Sequence, residues 1–291
     1  MRRVMVLGLS ALLWAGCTDT FGLPIGSGGD LSTAGGDGAV DGAFGSELGP
    51  TDGGSFTLPA SCARLTQCPA MMSEGDVALT DGQVSGCHAY DMLTIGSKVD
   101  AAHDASGLGF FACANNVLIT GILSADGKGE DGMAGPGAGQ GCGSGGGHGG
   151  AGGDPGGCGP GVTYGDPMLP RELGSGGGAL GAGGGAGGGA IELEAGRIDV
   201  IGFITADGEA GSGASAGGGS GGSILLRADT IEGAGQVLAR GGLGFGLAGG
   251  GGGGGRVAVY GGSDAKLKID VNGGGSMAGG DGAVGTIYQT P

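Results

Sequence analysis

Apolar residues alternate with polar ones in short runs along the second half of the chain. In the run from Ile191 to Ala195 every second residue is apolar, which is the period of a β-strand with one buried face. Such runs are separated by one or two residues or by long glycine runs, and none shows the 3.6-residue period of a helix. The pattern therefore predicts an all-β protein.

The strand pattern also recurs at fixed distances from Asn116 onward. A step of 81 residues maps the run 117–127 onto the run 198–208, and steps of 33 residues lead from Ile191 to Ile224 and on to Val257. If equivalent residues stack in parallel at the strand spacing of about 4.8 Å, every unit buries the same face. The repeat therefore predicts a parallel β-helix-like solenoid.

Glycine accounts for 84 of the 291 residues, and the glycine runs between strands are expected to leave the solenoid as long arms. Ordering a residue costs about 1–2 kcal/mol in conformational entropy, so the arms are either disordered or paired through their backbones. Glycine can form extended left-handed helices with three residues per turn, the polyglycine II type, which have no internal hydrogen bonds and can pair laterally. We expect ordered, paired arms.

The first sixteen residues have the layout of an export signal. Arg2 and Arg3 precede an apolar stretch of eleven residues that ends at Trp14. The small residues before Cys17 resemble the lipobox of bacterial lipoproteins, although Trp14 stands where that family usually has leucine. The resemblance implies a signal peptide at 1–16 and a lipid anchor at Cys17, which would attach an exported protein to the bacterial envelope at the outer membrane. An ordinary secretory signal is the alternative.

Composition divides the rest of the chain into three predicted parts. Residues 17–58 are rich in Gly, Ser and Asp, as in a flexible tether. Residues 59–114 hold four cysteines and less glycine, which indicates a cysteine-containing β cap. Residues 115–291 contain the glycine-rich repeats, which form the predicted β-solenoid.

Lipidation of one of the seven cysteines would leave six: Cys62, Cys68, Cys87, Cys113, Cys142 and Cys158. An even number in an exported protein predicts disulfides. Proximity in the sequence favours the pairs Cys62–Cys68, Cys87–Cys113 and Cys142–Cys158, one of 15 connectivities that six cysteines allow. Zinc is the alternative, but the chain has no Cys-x2-Cys pair and only three histidines.

Three glycine motifs occur in a fixed order, at Gly145–Gly150 around His148, at Gly217–Ile224 and at Gly249–Val259. Together they resemble a family of exported glycine-rich proteins, found as bacterial lipoproteins and inside plant cell-surface proteins. The same region, about 115–260, is more loosely similar to the glycine-rich domain of a receptor kinase family, in which polyglycine helices build a binding surface. The resemblance implies an extracellular structural or binding module and implies nothing about catalysis.

Charge and hydropathy limit the classes of molecule that the chain is expected to bind. The chain has 28 acidic and 12 basic residues, a formal net charge of −16, which opposes binding to nucleic acid and to anionic membrane surfaces. No apolar run reaches the length of about 18 residues that a transmembrane helix needs. The predicted partners are the membrane, through the lipid on Cys17, and a surface glycan or protein.

Few residues point to specific chemistry. His148 is a candidate metal or ligand contact, but a lone histidine among glycines is expected to be exposed. Arg227, Arg240 and Arg256 fall near strand ends and are weak candidates for binding anionic glycans; solubilising the edges of an acidic protein is the preferred interpretation.

Asp126-Gly127 and Asp207-Gly208 end equivalent strands. Asp126 and Asp207 are weak calcium-ligand candidates, because calcium needs several more oxygen ligands. Turn chemistry is preferred, since aspartate and glycine both tolerate a positive φ. No cofactor, no other metal site and no catalytic residue is predicted.

We therefore expect a non-enzymatic envelope lipoprotein that acts as a surface structural or adhesive module. A module that binds carbohydrate or another flat ligand, such as ice, is the alternative. A polysaccharide-acting β-helix enzyme is less favoured, because fold alone is weak evidence for function.

Overall fold

A computed structural model describes residues 62–63, 65, 68, 71–181, 183–263, 266–277 and 280–290. The predicted signal peptide, the tether and the lipidation site Cys17 lie outside the described residues. Within the described ranges, no helix is both long and apolar enough to cross a bilayer.

Fifteen strands and almost no helix make up the described chain. Seven strands form one parallel sheet, sheet A, in this order: β1 (Asp76–Leu79), β3 (Gly86–Ile95), β5 (Phe110–Ile119), β7 (Ala190–Val200), β10 (Ser223–Glu232), β13 (Arg256–Ser263) and β15 (Thr286–Thr290). Six strands form a second parallel sheet, sheet B: β2 (Gln83–Val84), β4 (Lys98–Ala101), β6 (Ile122–Ser124), β8 (Phe203–Thr205), β11 (Gln236–Leu238) and β14 (Lys268–Asp270). A short antiparallel pair joins β9 (Ser215–Ala216) to β12 (Phe245–Gly246).

The chain alternates between the two large sheets. Each of the first six strands of sheet A is followed by the next strand of sheet B, and we call such a pair a rung. Inward side chains of both sheets belong to one hydrophobic cluster, which includes Ile191 and Leu193 from β7 and Ile204 from β8. The all-β, parallel architecture predicted from the alternating pattern is confirmed.

The sequence repeat corresponds to the pairing register. Ile198 pairs with Val117 on one side and with Ile231 on the other. Ile224 pairs with Ile191 and with Val257. The steps of 81 and 33 residues therefore place equivalent side chains next to each other in sheet A.

The strands of residues 76–114, which the sequence analysis assigns to a cap, belong to the same two sheets as the repeats. β1 and β3 lie in sheet A, and β2 and β4 lie in sheet B. The predicted boundary at 114/115 falls inside β5. The chain on both sides of that boundary thus contributes to one pair of sheets.

The glycine runs leave the sheets between β6 and β7, β8 and β10, β11 and β13, and β14 and β15. Their backbones are hydrogen-bonded to one another. We call the paired parts of these arms, which lie within 125–189, 206–222, 239–255 and 271–285, the glycine lattice.

The hydrogen bonds of the run 217–222 follow a three-residue period. Residues three apart donate to the same neighbouring run, and consecutive residues donate to different ones. The donor and acceptor pairs are Gly217 to Gly178, Ser220 to Ser175, Gly218 to Gly250, Gly221 to Gly253, Gly219 to Glu209, and Gly222 to Ala206. An extended helix with three residues per turn presents its N–H groups in this way.

The run 250–255 repeats the arrangement with three other neighbours. Its bonds are Gly250 to Gly143, Gly253 to Gly146, Gly251 to Gly280, Gly254 to Ala283, Gly252 to Gly242, and Gly255 to Ala239, all between 2.7 and 2.9 Å. The run is buried throughout. The arms are therefore ordered by backbone pairing, as the sequence analysis expects.

The glycine lattice requires glycine for close approach. A Cβ placed on Gly252 would lie 1.9 Å from the carbonyl oxygen of Gly219. Gly141, at an exposed turn of the longest arm, has its nearest neighbour at 3.8 Å, the carbonyl oxygen of Ala179. Glycine is thus obligatory at Gly252 and replaceable at Gly141.

The variant Gly252→Ala is expected to lower the free energy of unfolding by about 2 kcal/mol or more, because overpacking a close contact typically costs 1–3 kcal/mol. Gly141→Ala should stay within about 0.5 kcal/mol of the wild type. Chemical denaturation of both variants measures the difference, and equal stabilities would contradict the lattice contact.

Three disulfides are present: Cys62–Cys113, Cys68–Cys87 and Cys142–Cys158. The last is the pair expected from proximity, and the predicted pairs Cys62–Cys68 and Cys87–Cys113 are wrong.

Strand register explains the error. On neighbouring strands Cys87 faces Phe111 and Ala89 faces Cys113, so Cys87 and Cys113 are offset by two residues. Strand spacing and rise then separate their Cα atoms by about 8 Å, beyond the limit of about 7 Å for a disulfide.

Tryptic digestion without reduction distinguishes the two pairings. Cleavage after Arg64 and Lys98 leaves Cys68 and Cys87 on one peptide, 65–98. The structure predicts that this peptide carries an internal disulfide, and that the peptide ending at Arg64 is linked to peptide 99–128. A single product in which the peptide ending at Arg64, peptide 65–98 and peptide 99–128 are all linked by disulfides would overturn the observed connectivity.

Candidate functional site

His148 lies inside the glycine lattice, where the sequence analysis expects an exposed side chain. It is fully buried, because neighbouring glycine runs leave room for one ring. Its Nδ1 lies 2.9 Å from the carbonyl oxygen of Gly221 and must donate to it, so Nε2 carries the lone pair. Among the described residues Nε2 has no hydrogen-bond partner. Burial is the main cause that lowers the pKa of His148 to about 4.

Arg256 begins β13 and is also buried, which corrects its expected role at a solvated edge. Its Nε and Nη2 donate to the carbonyl oxygen of Tyr164 at 2.9 and 2.6 Å, and Nη1 donates to Oγ1 of Thr286 at 2.9 Å. Burial lowers the pKa of Arg256 from its ordinary value. The guanidinium therefore joins the longest arm to two strands of sheet A.

Tyr164 completes the group, which we call the His148 cluster: His148, Tyr164 and Arg256. The ring of Tyr164 lies 4.8 Å from that of His148. Its hydroxyl donates to the carbonyl oxygen of Leu173 and accepts from Oγ of Ser175 at 2.8 Å. Burial raises the pKa of this phenol. The phenol thus has partners on both sides and stays protonated at neutral pH.

A second buried polar group lies on the outer face of sheet A. Arg171 makes a bidentate ion pair with Glu192, with N–O distances of 2.7 and 2.6 Å, and this hydrogen bonding raises the pKa of Arg171. Arg227 pairs with Glu194 at 2.5 Å and lies over the ring of Tyr260 at 4.5 Å. Both carboxylates are almost fully buried.

Sequence reasoning missed these buried carboxylates. The alternation around Ile191 predicts one buried face and places Glu192 and Glu194 on the other face, which is also buried here. A later segment of the longest arm covers this face, since Arg171 bonds to Glu192 there. Cys113 could have indicated this burial. It lies beside Glu194 on the neighbouring strand, and its disulfide requires another segment of the chain to pack against the same face.

A cavity of about 300 Å³ opens beside the His148 cluster. Five residues contribute polar side chains to its lining: Ser106, Glu130, Tyr164, Arg171 and Glu172. The Tyr164 hydroxyl and the Arg171 guanidinium are bonded to protein groups, and the Glu172 carboxylate accepts from the backbone N–H of Arg171 at 3.1 Å. This arrangement can accept hydrogen bonds from a small polar molecule.

Asp126 and Asp207 join successive rungs where the arms begin. Asp126 accepts from the backbone N–H of Asp207 at 2.7 Å and from Oγ1 of Thr205 at 2.9 Å. Asp207 accepts from the N–H of Arg240 at 2.6 Å and from its guanidinium at 2.6 and 3.0 Å. The carboxylates therefore bind protein donors on the neighbouring rung. Within the described part of the chain, no group of three or more His, Cys, Asp or Glu residues is arranged to hold a metal.

The Arg240–Asp207 pair stands at one end of an open groove of about 420 Å³ between three arms. Leu243, Ala210 and glycines of all three arms form the rest of the groove. Of the candidates from sequence, the structure brings His148 and Arg256 together, places Asp126, Asp207 and Arg240 along one edge of the rungs, and sets Arg227 on the outer face of sheet A.

Comparison with protein-family models, with curated proteins and with solved structures found no match to this chain.

Burial of neutral His148 makes stability depend on pH. Its pKa is about 4 in the folded protein and about 6.5 in an unfolded chain. The folded state therefore binds fewer protons, so this contribution is present above pH 6.5 and is lost as the pH falls to 4, about 3 kcal/mol in all.

The variant His148→Asn should be less stable than the wild type at pH 7, and the difference should shrink toward pH 4. Denaturation curves at both pH values measure this difference. A difference that is constant with pH would contradict a buried neutral imidazole.

Proposed function

We propose that this chain is a non-enzymatic structural module of the bacterial cell envelope, tethered by a lipid on Cys17. We infer that its rungs form one parallel β-solenoid and that its arms form a polyglycine II bundle beside it. The main support for the proposal is the three-residue hydrogen-bond period of the glycine lattice. This period supports a rigid body that is held together by its main chain, as a structural role requires.

The use of the polar side chains supports this function. His148 and Arg256 bond to backbone carbonyls of other arms, and Asp207 bonds to Arg240 on the neighbouring rung. Arg171 is held by Glu192 against the outer face of sheet A. Groups that could do chemistry thus connect one segment of the chain to another.

Three disulfides agree with folding in an oxidising compartment, which an exported protein would meet. They complement the export signal and Cys17 of the sequence analysis. Tethered at its amino end, the module would present its sheets and arms to other envelope components as a surface structural or adhesive body.

Complementation of a strain that lacks the gene tests this function. Wild type and Gly141→Ala should restore detergent resistance and cell-to-cell adhesion, whereas Gly252→Ala, which disrupts the lattice, should not. Cys17→Ala should release the protein from the membrane fraction and abolish complementation.

Tyr164→Phe keeps the ring and removes only a hydroxyl. If the variant is folded, it should restore both detergent resistance and cell-to-cell adhesion. Loss of both phenotypes in a stably folded, membrane-bound Tyr164→Phe protein would argue for a chemical role of the His148 cluster and against a structural module.

A further inference from the structure

Both large sheets end in open strand edges within the described chain. β1 pairs only with β3 and β15 only with β13, while β2 pairs only with β4 and β14 only with β11. An edge strand offers a row of backbone N–H and C=O groups to another strand. Among the strands that the structure describes, these edges are therefore places at which a further parallel strand could add.

The two end strands of sheet A cover complementary parts of a rung. β1 pairs with Met92–Ile95, the later part of β3, and β15 pairs with Arg256–Tyr260, the first part of β13. The register aligns Met92, through β5, β7 and β10, with Gly262 of β13. Thr290, the last residue of β15, aligns through β13, β10, β7 and β5 with Ala89, three positions before Met92. The segment that leads into β1 already bonds in between, since the N–H of Glu74 donates to the carbonyl oxygen of Ala89. Placed in one rung, β15 would end where this segment begins, so β15 and β1 would not overlap.

In the described part of the chain, no further strand packs on the outer side of β15. Val257 is fully buried under Ile287, its partner in β15, whereas Ile287 itself is 47% exposed. The earlier residues of the same column, Ile191 and Ile224, are at most 1% exposed. A further strand stacked on β15 would bury Ile287 as its equivalents are buried.

One pair of opposite charges matches the two ends. The stretch 71–97 at the amino-terminal end contains four acidic residues and no lysine or arginine. In sheet B the register aligns Lys268 of β14, through β11, β8 and β6, with Lys98. Continuing the β2–β4 register by two residues places Asp81 in this column. Asp81 of a second copy stacked on β14 would therefore lie beside Lys268, and both side chains are exposed.

We propose that copies of this chain associate head to tail, with β1 and β2 of one copy completing the rung that β15 of another begins. Such a contact joins two different surfaces and can repeat, so it builds linear assemblies. The contact goes beyond the structural role proposed above, and its test in purified protein does not depend on anchoring or adhesion.

Cysteine cross-linking of the detergent-solubilised full chain tests the contact. Asp81→Cys combined with Lys268→Cys should give a ladder of dimers, trimers and larger species on non-reducing gels. Each single variant alone should stay monomeric, and a mixture of the two should give dimers.

The matched control replaces Lys268→Cys by Gln236→Cys, which lies in the same column but inside the stack. Asp81→Cys with Gln236→Cys should give no ladder. Dimers from Lys268→Cys alone would show a two-fold contact and overturn the proposal. Monomers throughout, with the native tryptic disulfide map intact, would also overturn it.

Charge exchange provides an independent measurement by analytical ultracentrifugation. Lys268→Asp should raise the dissociation constant of the assembly about fivefold, as expected from loss of an exposed ion pair. Adding Asp81→Lys should restore it. Lys128→Asp, the same charge change within the longest arm, should leave the dissociation constant unchanged. If Lys128→Asp and Lys268→Asp raised the dissociation constant equally, the specific pairing of Asp81 with Lys268 would be overturned.

Discussion

The hydrogen bond between glycine backbones of different arms is the interaction on which the rest of the structure depends. Each buried run donates in turn to three neighbours, so neighbouring arms share the cost of ordering one another. Side chains would prevent this approach, as the 1.9 Å distance from a Cβ on Gly252 to Gly219 shows. The lattice in turn fixes His148 and brings Tyr164 and Arg256 together.

The two sheets and the lattice stabilise each other at their junction. Arg256 starts β13 as the glycine run ends, and its guanidinium holds the longest arm through Tyr164. Asp207 lies two residues after β8, at the start of its arm, and bonds to Arg240 at the start of the next arm. Arg256 and Asp207 thus form their bonds where the period of two in the strands changes to the period of three in the arms.

The sequence could predict the strands and their pairing, because both follow from the periodicity of apolar residues. The alternation around Ile191 indicated strands, and the 33-residue step anticipated the pairing of Ile224 with Val257. It could not predict contacts between segments far apart in the chain. The burial of Glu192 depends on Arg171, and the partner of Cys113 is Cys62, which precedes the sheets. Glycine runs carry no side-chain pattern, so the neighbours of His148 were also invisible in the sequence.

The three-residue period also limits how such arms can change length during evolution. Deleting one residue from the run 250–255 would rotate every later N–H by a third of a turn and direct it to the wrong neighbour. Deleting three would return each N–H to its former direction and shorten the arm by one helical turn. Insertions and deletions in arms of this kind should therefore occur in multiples of three residues, because only such changes keep each N–H directed at its original neighbour.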